Sequence, residues 1–215
     1  MRNDPILASG LHEGRAWRIR QVLDPDPPTR ADADNLWTLI CLHKRYNLGD
    51  VNLRTMEGLD EAVRAAGCSR EPPAGFVVPL FLMDHSGLTV SLTPFGDPWD
   101  SGQVGVACLS KARWVQAGLT TDHQAMTILE GEIRDLNDTL SGNCWGFVIE
   151  SRPAEACAPS GDEEEDTWAW REDSSVFGFH GDPEASGVES HWPDYMAAAW
   201  RTAHAKPVTS RGLGR

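Results

Sequence analysis

Two short polar stretches hold most of the chain's reactive side chains. Asp84-His85-Ser86-Gly87 follows a long apolar run, and Asp97-Pro98-Trp99-Asp100-Ser101-Gly102-Gln103-Val104-Gly105 precedes another. His85 titrates near neutrality, and Asp84 beside it can orient the ring or bind a metal. Asp97 and Asp100 supply hard oxygens suited to a divalent cation. Ser101 and Gln103 can hold a polar ligand, with Gly102 and Gly105 admitting its atoms close to the backbone. Trp99 can stack on a ring. A third stretch, Asn35 with Cys41-Leu42-His43-Lys44-Arg45-Tyr46, adds a second histidine at the end of an apolar segment.

The candidate catalytic residues are therefore His43, Asp84, His85 and Asp100. The candidate ligand-binding residues are Asn35, Arg45, Tyr46, Ser86, Trp99, Ser101 and Gln103. The candidate metal ligands are Asp84, His85, Asp97 and Asp100, with a divalent metal as the cofactor they would hold. Each stretch also has a plain structural reading: Asp, Ser and Gly suit a hairpin turn at 84–87, and Trp99 can plug a gap in a wide turn at 97–103. Cys41 and His43 share one face of a strand, but two further zinc ligands at metal spacing are not evident. His43, Asp84 and Ser101 occur in the chain order of a serine triad, yet neither a Gly-Asp-Ser-Gly-Gly nor a Gly-x-Ser-x-Gly motif is present, and chance is the better account. Phosphate-binding Gly-x-x-x-x-Gly-Lys-Ser/Thr and Gly-x-Gly-x-x-Gly loops are absent too.

The surrounding pattern predicts strands that position these turns. Ala16 to Leu23 alternates as a strand, and Asp24-Pro25-Asp26-Pro27-Pro28 is a stiff turn. Leu36 to Leu42 reads as a strand or short buried helix, closed by a turn at Asn47 to Asp50. Leu59 to Ala66 reads as a short helix stopped by Gly67. Phe76 to Met83 is a central strand, Leu88 to Leu92 its hairpin partner, and Val104 to Leu109 a further strand. Met126, Leu129, Ile133, Leu136 and Leu140 recur at helical spacing, so Thr121 to Leu140 is a long helix capped by Thr121-Asp122 and ended by Gly142. Trp145 to Ile149 and Val176 to Phe179 read as strands. Tyr195 to Ala205 reads as a terminal helix with Pro193 in its first turn.

Together these predict an α+β fold: a single domain over 16–205 with a mostly antiparallel sheet, one long helix packed on it and a C-terminal helix. A flexible N-terminus over 1–15, an acidic loop over 152–167 and a disordered basic tail over 206–215 complete the expected organisation. The 215 residues are enough for one good core, and the net charge of −13 makes direct nucleic-acid binding unfavourable. No apolar run is long enough for a membrane helix, and no signal peptide is expected after Met1-Arg2-Asn3-Asp4-Pro5. Five scattered cysteines without a CxxC read as reduced thiols, with Cys41, Cys108 and Cys144 as small buried hydrophobes. The acid run Asp162-Glu163-Glu164-Glu165-Asp166 reads as a solvated loop. Nine tryptophans imply aromatic packing and a stacking surface.

The combination of Asp34-Asn35, Cys41 to Asp50, Pro79-Leu80-Phe81-Leu82-Met83-Asp84-His85-Ser86-Gly87, Pro94-Phe95 and Trp99 to Gly105 resembles a widespread, uncharacterised family of small phage and prophage accessory proteins. The likeness extends through Gly142 to Ile149 and Phe177-Gly178-Phe179, covering about residues 16–180. It implies an accessory, non-virion protein acting in the cytoplasm of the bacterial host, and brings no activity with it. The abundance of Ala, Arg, Gly and Trp fits a GC-rich actinobacterial host. Two departures stand out: Asp97 replaces the cysteine expected before Pro-Trp-Asp-Ser-Gly, which excludes a cysteine-based role there, and the acidic loop is longer than usual.

Three function classes follow. The first is a binding protein that captures a host protein or a small signalling nucleotide, in counter-defence or host modulation. The second is a metal-dependent hydrolase or nuclease using the same His/Asp cluster. The third is an assembly component, which leaves the polar motif unexplained. Whether the chain is an enzyme, and whether it forms an oligomer, stay open at this stage.

Overall fold

The computed structural model describes residues 4–68, 75–154 and 169–204. The α+β class holds, with mostly antiparallel strand pairing, a long helix on a sheet and a C-terminal helix. The strands form two sheets rather than one, and the backbone divides into two compact units, Asp26–Asn143 and Met1–Pro25 with Cys144–Arg215.

The unit Asp26–Asn143 is built on five strands, β3 (Thr38–Leu42), β4 (Val51–Leu53), β5 (Phe76–Asp84), β6 (Leu88–Ser91) and β7 (Ser101–Leu109), in the order β4-β3-β7-β5-β6. Strand alternation sorts the side chains to two faces. Leu39, Cys41, Leu80, Ala107 and Leu109 join Ala125, Leu129, Ile133 and Leu136 of the long helix α3 (Asp122–Ser141) in one buried cluster. Ile40, Val106 and Cys108 join Leu59 and Val63 of α1 (Leu59–Ala65) in another. The central strands are thus covered on both faces, which is why their sequence is continuously apolar. Cys41, Cys68, Cys108 and Cys144 are buried and free of disulfides, in keeping with their reading as small hydrophobes. Burial pushes the Cys41 thiol up to about 12.

α3 is capped at both ends as its sequence predicts. The Thr121 hydroxyl accepts from the Gln124 amide, and Gly142 takes the left-handed conformation at φ 73°. Its one inward carboxylate, Glu132, accepts from the backbone amides of Leu36 (2.7 Å) and Trp37 (3.2 Å) and from the Arg30 guanidinium (3.1 Å). Arg30 also donates to the Trp37 carbonyl (2.9 Å) and to Asp50, whose Oδ2 accepts the Leu39 amide at 2.7 Å. The Trp37 indole donates to the Ala125 carbonyl at 3.0 Å. This cluster satisfies the backbone leading into β3 and ties it to α3.

The unit Met1–Pro25 with Cys144–Arg215 has the sheet order β1-β2-β8-β9, from β1 (Ile6–His12), β2 (Arg15–Leu23), β8 (Cys144–Pro153) and β9 (Arg171–His180). Trp17, Ile19, Trp145, Phe147 and Ile149 pack with Val188, Trp192 and the α5 (Asp194–Ala203) residues Met196 and Trp200. The opposite face carries Glu150, whose carboxylate receives Arg18 at 2.5 Å and Arg20 at 2.9 Å. Burial opposes its ionisation, but these two guanidiniums hold it below the usual carboxylate range.

Several sequence expectations change. The N-terminus expected to be loose contains β1, paired along β2; its Gly, Ser and His hide the strand pattern. β9 extends well beyond Val176 to Phe179, and its polar, exposed residues pair with β8 by backbone alone. The short helices α2 (Lys111–Gln116) and α4 (Pro183–Ser186) were not legible, although Ser110 caps α2 by accepting the Arg113 amide. Pro193 is the cap residue before α5 rather than part of its first turn. The acid run 162–166, Cys157 and the tail 206–215 lie outside the described residues.

Glu132→Ala leaves two backbone amides without their acceptor and removes one of the two carboxylates paired with the mostly buried Arg30 guanidinium. It is expected to cost roughly 3 kcal/mol of stability in urea unfolding; a loss below about 1 kcal/mol would show that the cluster is solvated and weak.

Candidate functional site

Antiparallel pairing on both sides of β7 brings three chain segments to one end of the five-stranded sheet. Cys41 of β3 pairs with Gly105, and Met83 of β5 pairs with Ser101. His43 just past β3, Asp84 at the end of β5 and the first residues of β7 therefore become neighbours. They line an open cleft of about 290 Å³ with His43, Asp84, Trp99, Asp100, Ser101 and Gln103 as its polar and aromatic wall, and Leu42, Leu82 and Val104 as its apolar floor.

Each polar group is held in a defined state. His43 Nδ1 accepts the amides of Arg45 (3.2 Å) and Tyr46 (3.1 Å), so its proton resides on Nε2. The ring stacks on Tyr46 with centroids 4.6 Å apart. Asp84 Oδ2 accepts from the Arg45 guanidinium at 2.7 Å and the Tyr46 hydroxyl at 3.0 Å. The bond to Asp84 raises the Tyr46 pKa, keeping that hydroxyl a donor. Arg54, which no sequence signal marks, braces the 43–47 loop by donating to the His43 carbonyl (2.7 Å) and Asn47 Oδ1 (2.7 Å).

The second wall is the 97–101 turn. Asp97 Oδ1 accepts the amides of Trp99 (2.7 Å) and Asp100 (3.2 Å), and these bonds lower its pKa. The Ser101 hydroxyl donates to the Asp97 carbonyl. The turn is tied to β5 by the Asp84 amide, which donates to the Asp100 carbonyl at 2.8 Å. His85 Nδ1 lies 2.6 Å from Asp100 Oδ2, and this bond raises the His85 pKa. The bond engages Nδ1 of a largely exposed ring, so the carboxylate orients His85 as one orients a general base. Trp99 is 92% exposed, so it plugs no gap.

Most of the candidate residues are thus brought together, with Arg45, Tyr46 and His85 bonded directly to the cleft lining. Three are not part of it. The Asn35 amide donates to the Arg30 carbonyl at 2.7 Å and closes a turn before β3. Ser86 sits at the hairpin tip with φ 58°. Asp97 spends its carboxylate on its own turn. Gly105 is also structural: a Cβ there would collide with the Ile40 carbonyl oxygen, so its role is close strand approach rather than ligand access. Among the described residues no group of three or more His, Cys, Asp or Glu converges as a metal-ligand set. Asp84 is bonded to Arg45 and Tyr46, His85 to Asp100, and Asp97 to its own turn, while the Cys41 thiol is buried in the core beneath α3.

No family model matches the chain, and no curated protein or solved structure matches it.

His85 is expected to titrate above its ordinary value of 6.5 in an NMR pH series. Because the folded pKa is raised, the pair's stabilisation is complete below that value and fades as pH rises through the folded midpoint. Asp100→Asn should return the midpoint toward 6.5; equal midpoints in the two proteins would mean that the bond does not persist in solution.

Proposed function

We propose that this chain is a phage-encoded accessory protein of the host cytoplasm that captures a host protein or a small nucleotide-like molecule through the cleft beside β7. Its role would be counter-defence or host modulation. The observation that carries the capture reading is Trp99. A large aromatic ring held almost wholly in solvent, at the rim of a polar cleft, is costly to leave uncovered and is a common anchor of binding surfaces. The turn that holds it is stapled by Asp97 and Ser101, so the backbone that carries the ring is already ordered before anything binds. The phage origin and the cytoplasmic site of action rest on the resemblance of the 41–50, 79–87 and 99–105 motifs. No helix among the described residues is long and apolar enough to cross a membrane.

One observation favours a second reading, hydrolysis with His85 as general base: its Nδ1 is committed to Asp100, while Nε2 has no partner among the described residues. The metal-dependent form of that chemistry lacks a convergent ligand set among the described residues. Under this reading His85→Ala and Asp100→Ala would abolish turnover while leaving the fold intact.

Native mass spectrometry of protein purified from its bacterial host tests the capture reading. A stoichiometric nucleotide or host protein is expected on the natural chain and absent from Trp99→Ala. The urea stability of that variant should change by less than about 0.5 kcal/mol, as for other exposed substitutions. Retention of the same partner by Trp99→Ala would remove the cleft from the account.

A further inference from the structure

Away from the cleft, the fold brings two thiols together. α1 ends in a left-handed turn. Gly67 has φ 74°, its amide donates to the Arg64 carbonyl at 2.9 Å, and the Cys68 amide donates to the Val63 carbonyl at 3.0 Å. This closing pattern turns Cys68 back toward the core that α1 covers. Cys108 reaches the same core from the middle strand. It pairs with Thr38 of β3 and Val77 of β5, and its side chain shares a face with Ile40 and Val106. Both cysteines belong to that buried cluster, and their thiols share a hydrogen bond. Cys68 Sγ also lies 3.8 Å from the carbonyls of Ala66 and Phe76. Gly75 keeps this space open: a Cβ there would stand 2.7 Å from the Leu109 carbonyl oxygen and 3.1 Å from Cys68 Sγ.

Two small buried side chains account for the packing of the reduced state, and neither cysteine is in a disulfide. The contact between their sulfurs does more than fill space, because it is the first requirement of an S–S bond. It also sets an order of reaction. Burial raises the Cys68 pKa, and the hydrogen bond with Cys108 offsets part of that rise. The thiolate is the reactive form of a cysteine, so Cys68 is the sulfur that attacks first. The loop that the bond would close, 68–108, contains β5 and β6 and the turns that carry Asp84, His85, Trp99 and Asp100.

We propose that Cys68 and Cys108 form a redox-sensitive staple, reduced in the resting protein and closed to a disulfide by hydrogen peroxide. The Cys68 thiolate attacks one peroxide oxygen. The O–O bond breaks, Cys68 becomes a sulfenic acid, and the departing hydroxide takes up the thiol proton as water. Cys108 then attacks the Cys68 sulfur. The S–S bond forms as the S–O bond breaks, and the second hydroxide leaves with the Cys108 proton as water. Two thiols thus lose two electrons and two protons, and one peroxide gains them to become two waters. A small thiol reopens the bond by exchange. Disulfides of this reversible kind are the ones found in a reducing compartment. Once closed, the staple ties the end of α1 to the central strand and restricts the unfolded loop that carries the cleft turns. It requires no ligand in the cleft and stands or falls apart from the capture reading.

The test treats the full chain with hydrogen peroxide under native conditions, then denatures, alkylates and digests it for mass spectrometry. A peptide pair linked through Cys68 and Cys108 is expected, about 2 Da lighter than the two reduced peptides together because two hydrogens are lost. Dithiothreitol should abolish it, and Cys68→Ser and Cys108→Ser should each lack it. The linked pair is read on the natural sequence, so the result does not depend on the variants folding. Before denaturation, the oxidised chain should show a thermal midpoint roughly 10 °C higher than the reduced chain, because the bond constrains a long loop of the unfolded state. Alkylation of both cysteines after peroxide would overturn the pairing. So would a sulfinic acid on Cys68 with Cys108 alkylated, or linkage of either residue to a different cysteine. A linked pair with an unmoved thermal midpoint would overturn the role of the bond as a staple.

Discussion

The cleft depends on how β7 lies between β3 and β5. Three segments that are far apart in the chain, around His43, Asp84 and Asp100, meet because β7 runs antiparallel to both neighbours and begins where both of them end. Gly105 makes the β3 side of this arrangement possible, since any side chain at that position would strike the Ile40 carbonyl. On the β5 side the register shifts between Leu80 and Phe81: Leu80 pairs with Gly105, and Phe81 with Gln103. Val104 is thus an extra residue on β7, a bulge of the kind that re-aims the side chains after it. Because strand side chains alternate with a period of two, this one residue changes which face Gln103 and Ser101 address. The polar wall of the cleft is a consequence of that local break in an otherwise regular ladder.

A second constraint fixes β3 from the other end. The chain enters the strand with several backbone amides that no neighbouring strand can satisfy, and two carboxylates receive them: Glu132 takes Leu36 and Trp37, and Asp50 takes Leu39. Arg30 bridges the two acids, so neither is a lone charge near the core. Ion pairs of this sort seldom add much net stability over a hydrophobic replacement, yet removing one member is costly. Their value here is positional. They hold α3 against the sheet in one register and deliver β3, with His43 at its far end, to a fixed place.

The legible parts of this protein were those with strong periodicity or clear punctuation. The long helix was readable from its apolar spacing with Thr121 and Gly142 at its ends, and the 76–92 hairpin from an apolar run broken by Gly87. The cleft was readable as a concentration of reactive residues in two turns. What escaped is equally physical. Most of β9 pairs through its backbone with its side chains exposed, and β1, although Leu7 and Ala8 pack on the core and His12 stacks on Tyr195, carries no clear alternation of hydrophobicity. The commitments of the site residues were also hidden: nothing in the order of residues says that Asp97 would spend its carboxylate on its own turn, or that Asn35 would close a loop elsewhere. Among the described residues the proposed metal ligands do not converge as a group of three or more. Their residue types are suitable, but one oxygen of each carboxylate is taken by a local donor.

The distribution of tryptophan sharpens the same point. Trp17, Trp37, Trp145, Trp192 and Trp200 are buried, and Trp114 stacks on Phe76 at a centroid distance of 4.8 Å. Burial of such rings is what the hydrophobic effect favours, and each contributes a large apolar area to its core. Trp99 combines near-complete exposure with a turn braced by the side chains of Asp97 and Ser101. Trp99 instead stands outward at the rim of the cleft, on a turn whose backbone is stapled by Asp97 and Ser101.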